Sequence, residues 1–289
     1  MKKIIALVLS MMFLLSMLSG CVPAETDGPG ENKFNLTTVR EGYLTVATSP
    51  DYAPFEFYSL DESGKPTLAG FDMELAQYIA DYLGLTLEIV PMDFDGTITE
   101  LGNKKCDLSM AGYSPDPDRL IYMDFTDVYY ISEQSLVTTN DKKDIITSIE
   151  AANDPSIKIG VQIGSIQAEL AKELTPNADI VELSKVTDIV MELSTGKLDA
   201  AFIETPVVEA YSNTYSNLTI ACVVPQEDNG SVIGVFKGND DLLKYVNEAI
   251  NKCISEGTFA KYVAAAIDLA AGDKHEGLLD NEGNIPTGE

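Results

Sequence analysis

The 289-residue sequence has few of the side chains that support nucleophilic or metal chemistry. It contains one histidine, His275, which lies in a polar C-terminal stretch. A Ser-His-Asp triad, a Cys-His pair and a multi-histidine metal site are therefore not expected. The four cysteines, Cys21, Cys106, Cys222 and Cys253, form no CxxC pair and no zinc-binding spacing. We accordingly predict no catalytic residue, no metal and no cofactor, and the pairing of the cysteines stays open.

Positive charge is also scarce, with 19 lysines and arginines against 46 acidic residues and a formal net charge of -27. This excess argues against nucleic acid and against anionic lipid as partners, because both would repel the chain. The hydrophobic fraction of 45% is that of a globular protein. A chain of this length exceeds one ordinary core, which predicts two domains.

Only one long hydrophobic run is present, over residues 4–15, and it follows two lysines. A charged start, a short apolar stretch and small residues after it are typical of a secretory leader, here residues 1–20. The leader ends in Leu18-Ser19-Gly20-Cys21, which resembles the lipobox of bacterial lipoproteins. That resemblance implies a lipid such as palmitate on Cys21 and a location on the extracytoplasmic face of the cell membrane. A plain secretory signal with a coincidental cysteine is the alternative.

After the leader an irregular stretch gives way to regular strands and helices. Residues 21–39 are rich in proline, glycine and acids, which predicts a flexible tether. Beyond them short apolar runs alternate with helical patterns such as Phe71, Leu75 and Ile79, and the alternation restarts near Ile157. This order predicts an α/β fold in which parallel sheets are covered by helices.

The segment 107–130 holds the most informative candidate site. A short strand leads into Gly112, and a turn through Ser114 follows. The pair Asp116-Pro117 is typical of a helix start, with the aspartate as N-cap. Arg119 comes next, and a guanidinium beside a hydroxyl and backbone N–H groups suits capture of a small carboxylate. The alternative is that Arg119 is a solvated surface charge.

Polar or aromatic side chains follow the carboxyl ends of five predicted strands, where ligands bind in open α/β sheets. These segments are residues 49–55, 92–95, 111–119, 162–167 and 203–206. A purely structural turn would need only Gly, Pro or Asn at these places. The five segments therefore predict one shared cleft.

Several ordered motifs resemble those of a known protein family. They are Ala47-Thr48, Pro54-Phe55-Glu56-Phe57, Gly70-Phe71-Asp72-Met73-Glu74, Met92-Asp93-Phe94-Asp95-Gly96, Asp124-Phe125-Thr126-Asp127 and Gly160-Val161-Gln162. Over residues 42–263 the chain resembles the polar amino-acid-binding proteins of bacterial solute-binding family 3, which feed ATP-driven importers. The resemblance implies a two-lobe clamp of the type II periplasmic-binding-protein class, each lobe a mostly parallel sheet flanked by helices. Lobe 1 would comprise 40–131 and 229–272, lobe 2 would comprise 137–225, and 273–289 would be a disordered tail.

The same resemblance implies a ligand-binding role for ten residues. They are Ser49, Tyr52, Phe94, Gly112, Ser114, Arg119, Gln162, Ser165, Ile166 and Glu204. Arg119 and Ser114, with N–H groups at the helix start near Ser165, would bind an α-carboxylate. Glu204 and the Gly112 carbonyl would bind the α-ammonium, and Tyr52 and Phe94 would enclose the ligand side chain.

Each of these roles has a structural alternative. Tyr52 and Phe94 would otherwise be core aromatics, Glu204 would be a helix-start acid, and Gln162 would only shape the hinge side. Asp72 and Asp95 are interpreted as helix caps. Three departures from the family pattern leave the amino acid unidentified: Glu204 in place of Asp, Asp116 in place of a hydroxyl residue, and Ser49 in place of an acid. Asp51 is the candidate partner for a cationic side chain.

The expected function is capture of an L-amino acid by lobe closure and its delivery to the permease and ATPase subunits of an ABC importer. The protein would be lipid-anchored, monomeric and without enzymatic activity. One alternative is a dehydratase-like enzyme of the same fold, with Glu204 as its acid or base. Another is a ligand-sensing partner protein.

Overall fold

The computed structural model describes residues 28–60, 64–225 and 230–272. The predicted leader, the lipid site at Cys21, His275 and the predicted tail lie outside these ranges.

Fourteen strands occur in the described residues. They are β1 (Tyr43–Thr48), β2 (Asp51–Tyr52), β3 (Glu56–Leu60), β4 (Pro66–Ala69), β5 (Thr86–Pro91), β6 (Leu108–Tyr113), β7 (Met123–Phe125), β8 (Tyr130–Ile131), β9 (Gln134–Thr139), β10 (Lys158–Gln162), β11 (Asp179–Leu183), β12 (Ala200–Glu204), β13 (Leu218–Val224) and β14 (Gly230–Phe236).

The helices pack on the faces of the sheets that these strands form. They are α1 (Phe71–Leu83), α2 (Phe94–Gly102), α3 (Ile149–Ala152), α4 (Ile166–Leu174), α5 (Val186–Ser194), α6 (Thr205–Ser212), α7 (Asp240–Ser255) and α8 (Thr258–Gly272), with a 3-10 helix at Pro117–Ile121. Helix α1 shows why the pattern predicts them: its Phe71, Leu75 and Ile79 are fully buried on one face.

The strands form two separate main sheets, which define two lobes. The six-stranded sheet of lobe 1 has the order β5-β1-β6-β14-β7, with β8 also paired to β14. The five-stranded sheet of lobe 2 has the order β11-β10-β12-β9-β13. The strands β1, β5 and β6 are parallel, as are β10, β11 and β12. One strand of each sheet, β14 in lobe 1 and β9 in lobe 2, runs antiparallel to its neighbours, so each sheet is mixed with most strands in one direction.

Two chain segments link the lobes. The first is Ser132 and Glu133, which connect β8 of lobe 1 to β9 of lobe 2. The second connects β13 to β14, and its residues 226–229 lie outside the described ranges. Each link joins a strand of one sheet to a strand of the other, so the chain passes between the lobes twice.

Residues 28–39 differ from the predicted flexible tether, because they pack against lobe 1. The Asn32 N–H donates to the Gly84 carbonyl at 2.9 Å. The Phe34 ring stacks on that of Tyr245, with centroids 4.1 Å apart, and Leu36 is buried in the core. These two apolar side chains stabilise the segment despite its polar composition.

The predicted loop 49–55 contains the strand β2, which pairs with β3 in a three-stranded antiparallel sheet with β4. These strands are too short to show a hydrophobic period in the sequence. Asp95 does not cap α2, because that helix begins at Phe94 with Asp93 in the N-cap position. Within the described residues, no helix combines the length and apolar character that a membrane span requires.

We predict that Gly70→Ala destabilises the protein. Gly70 precedes α1 with φ of 121°, and a Cβ there would lie 2.1 Å from the Phe55 carbonyl oxygen. Both the backbone conformation and the close approach exclude a side chain, so the free energy of unfolding should fall by at least about 2 kcal/mol. Urea denaturation measures the change. Gly96→Ala in α2 is the matched control, because a Cβ there makes only ordinary contacts with Met92 and alanine favours a helix. Equal stability of both variants would contradict the prediction.

Candidate functional site

A cavity lies between the two lobes at the carboxyl ends of β6 and β10. Its empty volume is about 230 Å³, including space that is open to solvent. This is small for a ligand pocket, because side chains of the two lobes already contact each other across it. The lining residues are Tyr52, Phe94, Ala111, Gly112, Ser114, Arg119, Gln162, Ile166 and Gln167.

Arg119 is held in the cavity by three groups around its guanidinium. Asp116 forms a buried ion pair with Nε at 3.3 Å. Nη1 donates to the Ser114 carbonyl at 3.3 Å, and Nη2 donates across the cleft to the Gly164 carbonyl at 3.1 Å. Asp116 also accepts from the Asp118 N–H, as the predicted N-cap does. Arg119 is therefore a positioned, buried cation rather than a solvated surface charge.

Helix α4 begins where Arg119 reaches lobe 2. Ser165 is its N-cap, since its hydroxyl accepts from the Ala168 N–H at 3.2 Å. The same hydroxyl donates to the Gln162 carbonyl at 2.7 Å. Ile166 opens the helix and lines the cavity, so the first-turn N–H groups and the positive end of the helix dipole lie there. An anion between Arg119 and this helix start would meet donors from both lobes.

Glu204, at the end of β12, lies opposite on lobe 2 and contacts lobe 1 through Tyr52. The Tyr52 hydroxyl donates to its carboxylate at 2.8 Å, and the Ser132 hydroxyl donates to the other oxygen. Burial raises the pKa of Glu204 to about 7, although these two hydrogen bonds oppose the shift. Gln167 donates to the Tyr52 hydroxyl at 3.2 Å and to Gln134 at 2.8 Å.

The aromatic rings come from different elements of lobe 1. Tyr52 lies in β2, and its ring packs on Phe55 with centroids 5.3 Å apart. Phe94 opens α2 and packs on Tyr113 at 5.1 Å. The Arg119 guanidinium carbon lies 5.7 Å from the Phe94 ring centroid, within cation–π range. Both rings line the cavity, which is the placement that a ligand sandwich requires.

Ser49 is not among the cavity-lining residues. Its hydroxyl donates to Asp51 at 2.9 Å. Asp51 in turn accepts the Val186 N–H at the start of α5 at 2.5 Å, so it joins lobe 1 to lobe 2. Burial raises the pKa of Asp51 to about 6, against the lowering effect of these hydrogen bonds. Ser49 and Asp51 therefore stabilise the contact between the lobes, and their side chains are already hydrogen-bonded within the protein.

Asp72 is not the predicted helix cap, because Gly70 holds that position and no side chain caps α1. Its carboxylate accepts from the Tyr129 hydroxyl at 2.7 Å and from the Gly112 N–H at 3.4 Å. Burial raises the pKa of Asp72 to about 7, although hydrogen bonds from Tyr129, Gly112 and Glu56 oppose this. Asp72 thus stabilises the backbone at Gly112, which lines the cavity.

Glu56 is the residue of this site that sequence reasoning missed. It lies in β3 directly opposite Tyr52 of β2, and it is completely buried. Among the described residues, no N–H or hydroxyl donor is bonded to either of its carboxylate oxygens. Burial, then the negative charge of Asp72, raises the pKa of Glu56 far above its ordinary value. The available sequence signal was its place in the Pro54-Phe55-Glu56-Phe57 motif, at an inward position of a half-buried strand.

The charges around the cavity are unbalanced. Five buried carboxyl groups are here called the cleft acids: Asp51, Glu56, Asp72, Asp116 and Glu204. Asp51 bonds across the lobes to Val186, and the other four contact a cavity-lining residue or pair with one in a strand. Arg119 is the one buried basic side chain in the described part of the chain. No cluster of residues able to hold a metal ion occurs within the described ranges. The arrangement is suited to a small ligand that carries one carboxylate and more than one positive charge.

Comparisons with known proteins agree with this geometry. Residues 44–266 match the family described as bacterial extracellular solute-binding proteins, family 3. The arginine-binding extracellular protein ArtP of Bacillus subtilis is 33% identical over 255 residues, covering 86% of this chain and 95% of ArtP.

Two solved structures are similar over most of the chain. The substrate-binding protein AbpA of an amino acid ABC transporter from Streptococcus pneumoniae, bound to L-arginine, gives a TM-score of 0.76 at 30% identity. The likeness covers 80% of this chain and 97% of AbpA. The ancestral amino acid-binding protein AncCDT-1, a precursor of cyclohexadienyl dehydratase, gives 0.69 at 32% identity and covers 78% and 95%. The predicted α/β fold of two lobes is confirmed.

We predict that the ligand-free protein loses stability as the pH rises from 5 to 8. Asp51, Asp72 and Glu204 bind protons more tightly when folded, with pKa values of about 6, 7 and 7 against about 4 unfolded. The native state then holds more protons, so the free energy of unfolding falls through this window. Thermal denaturation should show a Tm several degrees lower at pH 8. Glu204→Gln should reduce the decrease and the exposed control Glu88→Gln should not; an increase with pH would contradict the prediction.

Proposed function

The chain belongs to the bacterial extracellular solute-binding proteins of family 3, and on that premise we propose that its ligand is a cationic L-amino acid, with L-arginine the first candidate. Proteins of this kind are the substrate-binding components of amino-acid ABC importers, and this chain is one of them. The likeness to ArtP and to AbpA bound to L-arginine supports a cationic ligand.

The observation that carries the proposal is the unbalanced charge of the cleft. The cleft holds five buried acids and one buried guanidinium, and Asp116 already pairs with that guanidinium. A zwitterionic ligand adds one negative and one positive charge and leaves the excess of acids unchanged. A ligand with a cationic side chain supplies a further positive charge where burial makes unpaired carboxylates costly.

We assign the α-carboxylate of the ligand to Arg119 and the start of α4. The guanidinium edge that now donates to the Ser114 and Gly164 carbonyls would turn two N–H groups to the ligand, while Asp116 keeps Nε in place. Ser114 and the first N–H groups of α4 near Ile166 add donors.

The ammonium and the side chain of the ligand belong at the opposite end of the cleft. Glu204 would accept the α-ammonium, together with the Gly112 carbonyl. Tyr52 and Phe94 would enclose the aliphatic and cationic parts of the side chain, with cation–π attraction at its tip. Asp51 is bonded to Val186 and Ser49, so Glu56, which has no donor in the described residues, is the better partner for that tip. Gln162 would contribute a polar contact from the hinge side.

Closure follows from the distribution of these groups over both lobes. Arg119, Tyr52, Phe94 and Glu56 belong to lobe 1, whereas Glu204 and α4 belong to lobe 2. Both charged ends of the ligand are satisfied only when the lobes meet, so binding favours the closed state. We infer that the lobes rotate about the two links, with the approximate boundaries expected above, and that the importer recognises the closed form.

We also propose a lipid anchor at Cys21. The support is the secretory pattern of residues 1–20 and the Leu18-Ser19-Gly20-Cys21 motif. With palmitate and a second acyl chain there, the protein would stay on the extracytoplasmic face of the membrane as a monomer.

A dehydratase of the same fold is the alternative function. It is favoured by the likeness to AncCDT-1 and by the raised pKa of Glu204, which suits an acid that holds a proton near neutral pH. The cleft is otherwise explained by binding alone, and we infer that the protein is not an enzyme.

A screen of ligands by thermal shift tests the proposal directly. L-Arginine and L-lysine at a hundred times Kd should stabilise the protein by about 2.7 kcal/mol, whereas L-glutamate should give no shift. The ligand should be recovered chemically unchanged after incubation. A preference for acidic or neutral amino acids would contradict the cationic assignment, and conversion of a ligand would favour the dehydratase.

Arg119→Ala should weaken binding of L-arginine by a hundred- to several-thousand-fold. Without the guanidinium the ligand carboxylate is buried unpaired, which costs roughly 3–5 kcal/mol. Equilibrium dialysis measures the change, and circular dichroism checks the fold. The matched control is Arg40→Ala, because Arg40 is exposed and pairs only with Glu88 and the Tyr43 ring. Binding by Arg119→Ala within threefold of the wild type would refute the role.

A further inference from the structure

Glu56 and Asp72 form a pair of adjacent carboxyl groups under the Gly112 loop. Both are completely buried, on β3 and α1 respectively. Asp72 has donors in Tyr129 and the Gly112 N–H, but Glu56 has none among the described residues. Two carboxylates can bond to each other only when one of them carries a proton. A proton on Glu56 would be shared with Asp72, because Asp72 already accepts from the Tyr129 hydroxyl and the Gly112 N–H, whereas Glu56 has no other partner among the described residues.

The surroundings of the pair give no cation to replace that proton. The titratable groups that interact electrostatically with Glu56 are, by element, Asp51 and Tyr52 of β2, Asp72 of α1, Tyr113 of β6, Tyr129 before β8, Glu204 of β12 and Tyr211 of α6. All of them are acids or phenols. Arg119 lies beyond Tyr113, 5.4 Å from its ring, and is already paired with Asp116. Two ionised carboxylates in this position would be strongly destabilised, so the pair keeps its proton in the absence of ligand.

We propose that the Glu56–Asp72 pair exchanges this proton for the cationic side chain of the ligand, so that capture of a cationic amino acid releases a proton to solvent. The inference rests on the proposed function and adds the charge balance of the side-chain site. The O–H bond of Glu56 breaks, its proton passes to water or buffer, and the resulting carboxylate accepts the guanidinium or ammonium. The proton or the ligand cation offsets one of the two carboxylates, so the net charge of the site is minus one before and after the exchange and never reaches the costly minus two.

The pair would also set the specificity of the site. A neutral isostere such as L-citrulline has no charge to offset a second carboxylate, so it would bind with the proton still on Glu56. L-Arginine binding is therefore linked to deprotonation and citrulline binding is not. The preference for L-arginine should increase as the pH rises, because the cost of removing the proton falls. Burial and neighbouring acids raise the pKa of Glu56, which places this increase well above the pH near 4 at which an ordinary glutamate titrates.

Two measurements on the full-length protein test the proposal. The first is isothermal titration calorimetry with L-arginine at pH 7 in buffers of different ionisation enthalpy. The dependence of the measured heat on the buffer should correspond to release of about one proton per ligand. The second is infrared difference spectroscopy, in which L-arginine should remove the band of a protonated carboxyl group.

Substitutions of single residues test which carboxyl group carries the proton. Ligand-free Glu56→Gln should lack the part of that band that L-arginine removes from the wild type, whether or not it binds ligand, and Asp72→Asn should release fewer protons. Glu204→Gln is the matched control, because it removes a cleft acid with a raised pKa but leaves the pair intact. It should retain the Glu56 band.

The outcomes separate this inference from the function on which it rests. Binding of L-arginine with a heat independent of the buffer and no loss of the carboxyl band would overturn the proton exchange and leave the proposed function standing. The same holds if ligand-free Glu56→Gln keeps the band of the wild type. Failure of every cationic amino acid to bind would overturn both.

Discussion

The structure depends on a shortage of positive charge inside the cleft. Arg119 is the one buried basic group in the described residues, whereas the five cleft acids have all been removed from water by folding. Such a site is stable on its own only if some carboxyl groups keep their protons or find neutral donors. Tyr52, Ser132 and Tyr129 are those donors, and each bridges elements that are distant in the chain. The hydrogen bonds that stabilise the buried carboxyl groups are therefore also the bonds that hold the lobes and loops together.

This arrangement explains why the cavity is small although the fold is that of a ligand clamp. The lobes meet through protein groups that resemble the ends of an amino acid: a hydroxyl on Glu204 and a backbone carbonyl on Arg119. A ligand competes with these contacts rather than entering free space. The proposed ligand has the advantage of charge. Its carboxylate would bind the Arg119 guanidinium more strongly than a backbone carbonyl does, and its cationic group would bind the cleft acids more strongly than a tyrosine hydroxyl does.

The sequence predicts the order of the elements and much of the cleft, and it fails where tertiary contacts decide. Phe71, Leu75 and Ile79, which have helical spacing in the sequence, form the buried face of α1, because their apolar period is regular. Seven of the ten predicted ligand residues line the cavity, since they follow strand ends. Ser49 does not, because its hydroxyl is used by Asp51. Glu56 could not be found by pattern alone: its importance is the absence of a donor, which only the packing around it determines.

The packed segment 28–39 fixes the position at which the N-terminal part of the chain joins lobe 1. Its bonds to Gly84 and its stacking on Tyr245 attach it to the six-stranded sheet side alone. A force applied through the chain that precedes this segment would therefore act on lobe 1. Lobe 2 is joined to it by the two links and by the hydrogen bonds across the cleft, such as those of Arg119 and Tyr52. The rotation proposed above would therefore move lobe 2 while the segment 28–39 and lobe 1 keep their relative position.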